Sequence, residues 1–151
     1  MSFYGHKKEG EKLSVFNGLN INASGLALER LKLDTISTNI ANVNTSKTEN
    51  SEAYHKKSVS FSENLKKATT ENQATSYGVK ITGIREDPAV KEIFDPTNPN
   101  ADANGYVEQS NVNTADEMVE MIQALRTYEA NASALESNKS MLKKALEISK
   151  D

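Results

Sequence analysis

Apolar positions gather at the two ends of the chain, and there they recur at helical spacing. In the stretch from Leu19 to Thr45 (LNINASGLALERLKLDTISTNIANVNT), Leu19, Leu26, Leu33 and Ile40 return every seven residues, and Ile36 and Val43 follow at the three-residue offset. That spacing predicts an amphipathic helix with an a/d seam. Asn22 and Glu29 hold the matching offset positions in the first half, so the seam is weaker there. The helix is expected to start between Leu13 and Asn20, with Ser14, Asn17 and Asn20 as candidate N-caps. It is expected to end near Asn42 to Asn44, because Asn tolerates the left-handed cap conformation. Gly18 and Gly25 weaken its early turns by up to about 1 kcal/mol each relative to Ala, and leave room for close helix packing.

The second periodic stretch lies at the other end. Thr114-Ala115-Asp116-Glu117 reads as a capping box, with the Thr114 hydroxyl on the N3 amide and Glu117 reaching back. Beyond it Met118, Met121, Leu125, Tyr128, Ala132, Leu135, Leu142 and Leu146 fill a and d positions, with Lys139 as the polar exception. From Thr114 to Ile148 this predicts a helix of roughly 50 Å at 1.5 Å per residue.

Between the two, the pattern changes to short alternating runs. Tyr54 to Ser62 is a candidate strand through Tyr54, Val59 and Phe61. Tyr77 to Glu86 alternates through Val79 and Ile81 and breaks at Gly83-Ile84, and Lys91 to Asp95 is another candidate. Asp87-Pro88 supplies a turn, residues 95–105 (DPTNPNADANG) are turn chemistry throughout, and Tyr106-Val107 adds a last short strand. The predicted fold class is therefore mainly α with a small β insert, the terminal helices packed as a coiled-coil-like pair. The expected division is a flexible lead over 1–12, a helical module from 13–45 and 112–151, and a β-rich insert over 46–111 with a mobile polar loop at 63–76.

Composition narrows the functions. The chain has 151 residues, 36% hydrophobic and 26% charged, too little apolar content for one large core. A net charge of −3 gives no reason to expect nucleic acid or an acidic membrane surface as partner. With no cysteine there is neither a disulfide scaffold nor a thiolate metal site. No apolar run has the length of a membrane span, and MSFYGHKKEGEK lacks the apolar core of a cleavable secretory signal.

Candidate chemistry is thin. Asn100, Asp102, Asn104, Gly105 and Glu108 fall on EF-hand loop positions, but position 12 is Asn111 where a bidentate Glu is required, and no helix leads in. His6 and His55 stand apart from any nucleophile or HExxH spacing. Asp116, Glu117 and Glu120 are explained by capping and by the helix dipole. The pairs Lys56-Lys57, Lys66-Lys67 and Lys143-Lys144 read as solvated surface. No enzyme, cofactor or metal site is expected. Two narrow seams on two helices bury little by themselves, so completion by other subunits is expected.

With these residues in hand, the chain resembles the bacterial flagellar axial proteins, the rod and hook family. Ile40-Ala41-Asn42-Val43-Asn44-Thr45 is the most specific piece. Gly105-Tyr106-Val107, Asn111-Val112-Asn113, Glu117-Met118 and Arg126-Thr127-Tyr128-Glu129-Ala130-Asn131 are the matching pieces of the second half. Thr48-Glu49-Asn50 and the 95–105 turn point to a proximal rod member. Ser110 replaces the usual Pro before Asn-Val-Asn. The resemblance implies a structural subunit of the flagellar basal body that polymerises helically through its terminal helices, crosses the periplasm and carries torque from motor to hook. It implies export through the flagellar type III apparatus without a cleavable signal. It also implies as partners further copies, neighbouring rod proteins, the basal-body adaptor and the membrane ring.

Residue by residue, the assembly interface is expected at Leu26, Leu33, Ile36, Ile40, Val43, Met118, Met121, Leu125, Tyr128, Leu135, Leu142 and Leu146. The junction and caps between helices and insert are expected at Asn39, Asn42, Asn44, Asn111, Asn113, Thr114 and Glu117. A sibling rod protein, a soluble coiled-coil adaptor and a small calcium-binding module are the rival readings.

Overall fold

A computed structural model of the chain describes residues 6–67 and 74–148. The element order is α1 (His6–Ala41), β1 (Lys57–Lys67), β2 (Ala74–Glu86), β3 (Lys91–Phe94), β4 (Tyr106–Gln109) and α2 (Thr114–Ile148). The fold is mainly helical with a small β insert, as the two kinds of periodicity predict. β1 pairs with β2, and β3 with β4, in separate two-stranded sheets.

Several boundaries differ from expectation. α1 begins at His6, ahead of Leu13, so most of the predicted lead is helical and Ser14, Asn17 and Asn20 lie inside the helix. Asn17 is not a cap: its Nδ2 donates to Ser76 O at 3.0 Å. Of the polar loop expected at 63–76, residues 63–67 belong to β1 and 74–76 to β2; 68–73 lie outside the described residues. Pairing with a neighbouring strand satisfies the backbone of a polar segment as well as of an apolar one, and alternation of apolar residues alone does not reveal it.

The chain forms two compact units, and each takes part of both helices. The first comprises Met1–Arg30, Phe61–Ile81 and Leu125–Asp151; the second comprises Leu31–Ser60 and Thr82–Ala124. These units cut across both helices and across the β1–β2 sheet, whereas the expected helical module and insert divide the chain by its elements.

In the first unit β2 lies against α1. Ser24 Oγ donates to Ile21 O at 2.7 Å and accepts the Val79 amide at 3.0 Å. Gly78 makes the approach possible. Its φ is +96° and a Cβ there would overlap Ser24 Oγ, so no other residue fits without displacing the strand. The two helices meet closely where Asn138 lies over Gly18 and Asn131 over Gly25.

In the second unit β3 and β4 form an antiparallel hairpin, Lys91 opposite Gln109 and Phe94 opposite Tyr106. The Phe94 and Tyr106 rings meet edge-on at 5.3 Å. The turn between them is built by its own acidic side chains. Asp95 Oδ1 accepts the Thr97 amide and hydroxyl at 3.2 and 2.6 Å, and Asp102 Oδ1 accepts the Asn104 and Tyr106 amides at 2.9 and 2.8 Å. The Asp102 carboxyl is held below its ordinary pKa chiefly by the Tyr106 amide, and that of Asp95 by the Thr97 side chain. Gly105, at φ +84°, closes the turn where a Cβ would press on Phe94 and Pro96. The segment after α1 runs along β4: Lys47 N donates to Glu108 O at 2.9 Å and Ser110 N to Thr45 O at 3.1 Å. Lys47 Nζ stands 3.0 Å from Glu108 Oε2, and this hydrogen bond raises the Lys47 pKa.

Candidate functional site

The densest polar geometry is a buried cluster in the second unit. α1 carries Asn39 into it, the segment entering β1 contributes Tyr54, Lys56 and Lys57, and the first turn of α2 supplies Glu117. Asn39 is 1% exposed and Glu117 is 0% exposed. The Asn39 amide is saturated. Nδ2 donates to Lys57 O at 2.8 Å and to Glu117 Oε2 at 2.9 Å, while Oδ1 accepts the Tyr54 hydroxyl at 2.9 Å and the Lys57 amide at 3.0 Å. An asparagine side chain has two donor hydrogens and two acceptor lone pairs, and here all four are used.

Glu117 carries the negative charge of the cluster and Lys56 the positive one: the ammonium lies 2.7 Å from Glu117 Oε1. Lys56 also reaches Glu120 Oε1 at 3.3 Å. Burial works against the Lys56 charge; the hydrogen bonds and charges of Glu117 and Glu120 outweigh it and raise the pKa above the ordinary lysine value. Burial also pushes the Tyr54 hydroxyl up. Asn111 Oδ1 accepts the Lys56 amide at 2.8 Å, so the strand entry is bound from both helices' flanks.

The junction residues expected from sequence thus separate into two groups. Asn39 and Asn111 bridge to the Tyr54–Lys57 segment. Asn42 and Asn113 serve their own helices: Asn42 Nδ2 donates to Thr38 O at 2.8 Å, and Asn113 Oδ1 accepts the Ala115 amide at 3.0 Å. Asn44 sits exposed in the turn after α1. The capping box is corrected by this geometry. Asn113 is the cap, Thr114 is already helical, and Glu117 turns to Lys56 and Asn39 because a half-buried ammonium and a buried amide compete better for it than an amide at the helix end. Lys56, expected on the solvated surface, is its ion partner. The sequence offered one signal for this: a Lys-Lys pair inside the candidate strand Tyr54 to Ser62, and a glutamate at the start of the other helix.

The expected interface residues also divide. Ile36 is buried; Leu26, Leu33, Ile40, Val43, Met121, Leu135 and Leu142 are half-buried. Met118, Leu125, Tyr128 and Leu146 are exposed, Met118 at 53% and Leu125 at 45%. Ile122, which lies off the expected a/d positions, is 55% exposed, and Val119, Met141 and Ile148 join it. The residues that α2 buries in the chain are Glu117 and Ala124. The two most buried positions of this helix are thus a glutamate and an alanine, with Met121, Leu135 and Leu142 half-buried beside them, while Met118, Val119, Ile122 and Leu125 stay exposed.

A cavity of about 680 Å³ opens beside the start of α2, lined by Val43, Asn44, Lys91, Asn111, Val112 and Thr114 among others. Its lining holds no acid–base pair and no activated nucleophile. No group of His, Cys, Asp and Glu among the described residues could hold a metal ion, and no helix among them is long and apolar enough to cross a membrane.

Sequence comparison places these features among known proteins. The family described as flagella basal body rod protein matches residues 19–46, and the flagellar basal body rod FlgEFG protein C-terminal family matches residues 103–148. The flagellar basal-body rod protein FlgC of Bacillus subtilis (strain 168) is 38% identical, over 91% of this chain and 100% of its own length. The protein of the same description from Aquifex aeolicus (strain VF5) is 37% identical over 89% of this chain and 97% of its own. That of Salmonella typhimurium (strain LT2) is 34% identical over 90% and 98%.

Proposed function

The chain belongs to the FlgC family of flagellar basal-body rod proteins and is a structural subunit of the basal body; from that premise we propose that it polymerises helically through the outward faces of its terminal helices and carries torque from motor to hook. The observation that carries this reading is the exposed apolar face of α2, with Met118, Ile122 and Leu125 on successive turns. Single exposed apolar residues need no explanation, but a stripe of them on a helix marks an interaction surface. Copies of the chain and neighbouring rod proteins are the partners that would cover it. The basal-body adaptor and the membrane ring are further partners in this reading, and the flagellar type III apparatus is its route of export across to the periplasm.

The test is Leu125→Asp in the living bacterium. A carboxylate buried without a partner costs several kcal/mol, enough to erase a subunit contact. Basal bodies isolated from the variant should lack rods, and the cells should not swim. Normal swimming would remove the face from the interface.

A second element of the proposal is mechanical. We propose that Asn39 and Asn111 fix the insert to the helices against torsion. Their bonds to the Tyr54–Lys57 segment support this role, and the caps Asn42 and Asn113 lack such bonds in the described geometry. Asn39→Ala with Asn111→Ala should let cells swim in dilute medium and fail in viscous medium. Asn42→Ala with Asn113→Ala should swim in both. Equal swimming by the two double variants under load would leave the bridging asparagines a folding role alone.

A further inference from the structure

We infer that two glycine–asparagine contacts, Gly18 with Asn138 and Gly25 with Asn131, set the register in which α1 and α2 pair within the first unit. Both glycines lie in the interior of α1, and neither has a positive φ. Backbone conformation therefore does not call for them, and each weakens the helix relative to alanine by about fivefold in its local opening equilibrium. What they provide is room. A Cβ on Gly25 would lie 2.7 Å from Asn131 Nδ2, 3.2 Å from its Cγ and 3.4 Å from its Oδ1. The whole amide rests on the glycine, so a small swing of one atom does not clear it. At Gly18 the contact is lighter, 3.1 Å to Asn138 Nδ2 and 3.8 Å to Cγ.

The spacing makes this a register device. The glycines are seven residues apart, the asparagines are seven apart, and the later glycine meets the earlier asparagine, as antiparallel helices require. A slip by one heptad in one direction puts Asn131 opposite Lys32; in the other it puts Asn138 opposite Glu11. Either way one amide meets a full side chain instead of a glycine. Apolar seams tolerate such slips, because one leucine packs against another much as it does against the next. A polar residue at a seam position is the better-attested way to fix helix register. The half-buried leucines beside these contacts, Leu26 on α1 and Leu135 on α2, add packing, and the glycine–asparagine pairs fix which turn meets which.

The test needs the purified full chain and does not depend on rod assembly. Amide hydrogen exchange is followed over residues 19–32 and 125–138 in Gly25→Ala, Gly18→Ala, Asn131→Gly and the double variant Gly25→Ala/Asn131→Gly. Without the contact, Gly25→Ala would slow exchange in α1 roughly fivefold, as helix propensity dictates. With it, overpacking should speed exchange in both helices by about tenfold or more. Gly18→Ala should act in the same direction and less. The double variant should return exchange in α1 to the level of Asn131→Gly or slower. Slower exchange in Gly25→Ala, or a double variant no better protected than Gly25→Ala, overturns the inference. Should Gly25→Ala fail to fold, the recovery or failure of the double variant decides alone.

Discussion

The two faces of α2 differ in more than exposure. Toward the rest of the chain it presents Glu117, Ala124, Asn131 and Asn138 beside the half-buried Met121, Leu135 and Leu142; toward solvent it presents Met118, Val119, Ile122 and Leu125. In a finished monomer the second set would be inside, since burying one large apolar side chain is worth about 1.5–3 kcal/mol. The polar set is not a defect either, because the Asn39–Glu117–Lys56 cluster satisfies its members with short bonds. The difference teaches that the inward face specifies geometry while the outward face holds the unspent hydrophobic surface. On the assembly proposed above, other chains cover this surface and supply the rest of the stability.

This contrast predicts different losses for the two faces. Ile122→Ser, on the outward face, should abolish or severely reduce rod formation in isolated basal bodies while leaving the unfolding free energy of the purified chain, from urea titration, within about 0.5 kcal/mol of the parent. A large drop in the midpoint would mean that Ile122 is core to the monomer and would erase the distinction. Glu117→Ala should do the reverse and cost the purified chain about 2–3 kcal/mol, because it strands a buried Asn39 amide hydrogen and leaves the Lys56 ammonium with only the exposed Glu120. Glu117→Gln should lose less, since an amide oxygen still accepts from Asn39.

Smaller effects sharpen the inward side. Asn39→Ala strands the Tyr54 hydroxyl and two backbone groups of Lys57, and should cost about 2–3 kcal/mol. Asn42→Ala and Asn113→Ala remove local caps only and should cost about 1 kcal/mol each. Equal losses for Asn39 and Asn42 would contradict the division between bridge and cap. The pH dependence is the least of the set. The Lys56 pKa is raised in the folded chain above the ordinary 10.5. Its contribution is therefore fully present below that value and is lost as the pH rises through the folded pKa. Tyr54, raised above 10.0, works in the same direction. Urea midpoints should hold through neutral pH and fall above about 10, and Lys56→Met should flatten the lysine part of that fall.

Much of this was readable in the amino-acid order. The 3.6-residue periodicity of both helices, the turn chemistry of residues 95–105 and the strand at Lys91–Phe94 depend on near neighbours, and near neighbours are what a sequence displays. That Asn39 and Asn111 stand where a helix meets a strand was also legible, from their places in the order. Their difference from Asn42 and Asn113 was not, because a cap and a bridge use the same side chain and differ only in what lies within reach.

The sequence by itself determined two long seamed helices around a β insert, the absence of cysteine chemistry and the likeness to rod proteins. Tertiary structure alone decided which side of each seam faces the chain. Heptad spacing marks a stripe but does not say whose partner it is, and here the intrachain partner took the residues beside the stripe: Gly25 under Asn131 and Asn39 against Glu117. It also decided the fate of Glu117. A glutamate three residues into a helix has a good local use as a cap, and only the arrival of Lys56 from a distant segment, 2.7 Å away in a buried site, offered it a stronger one.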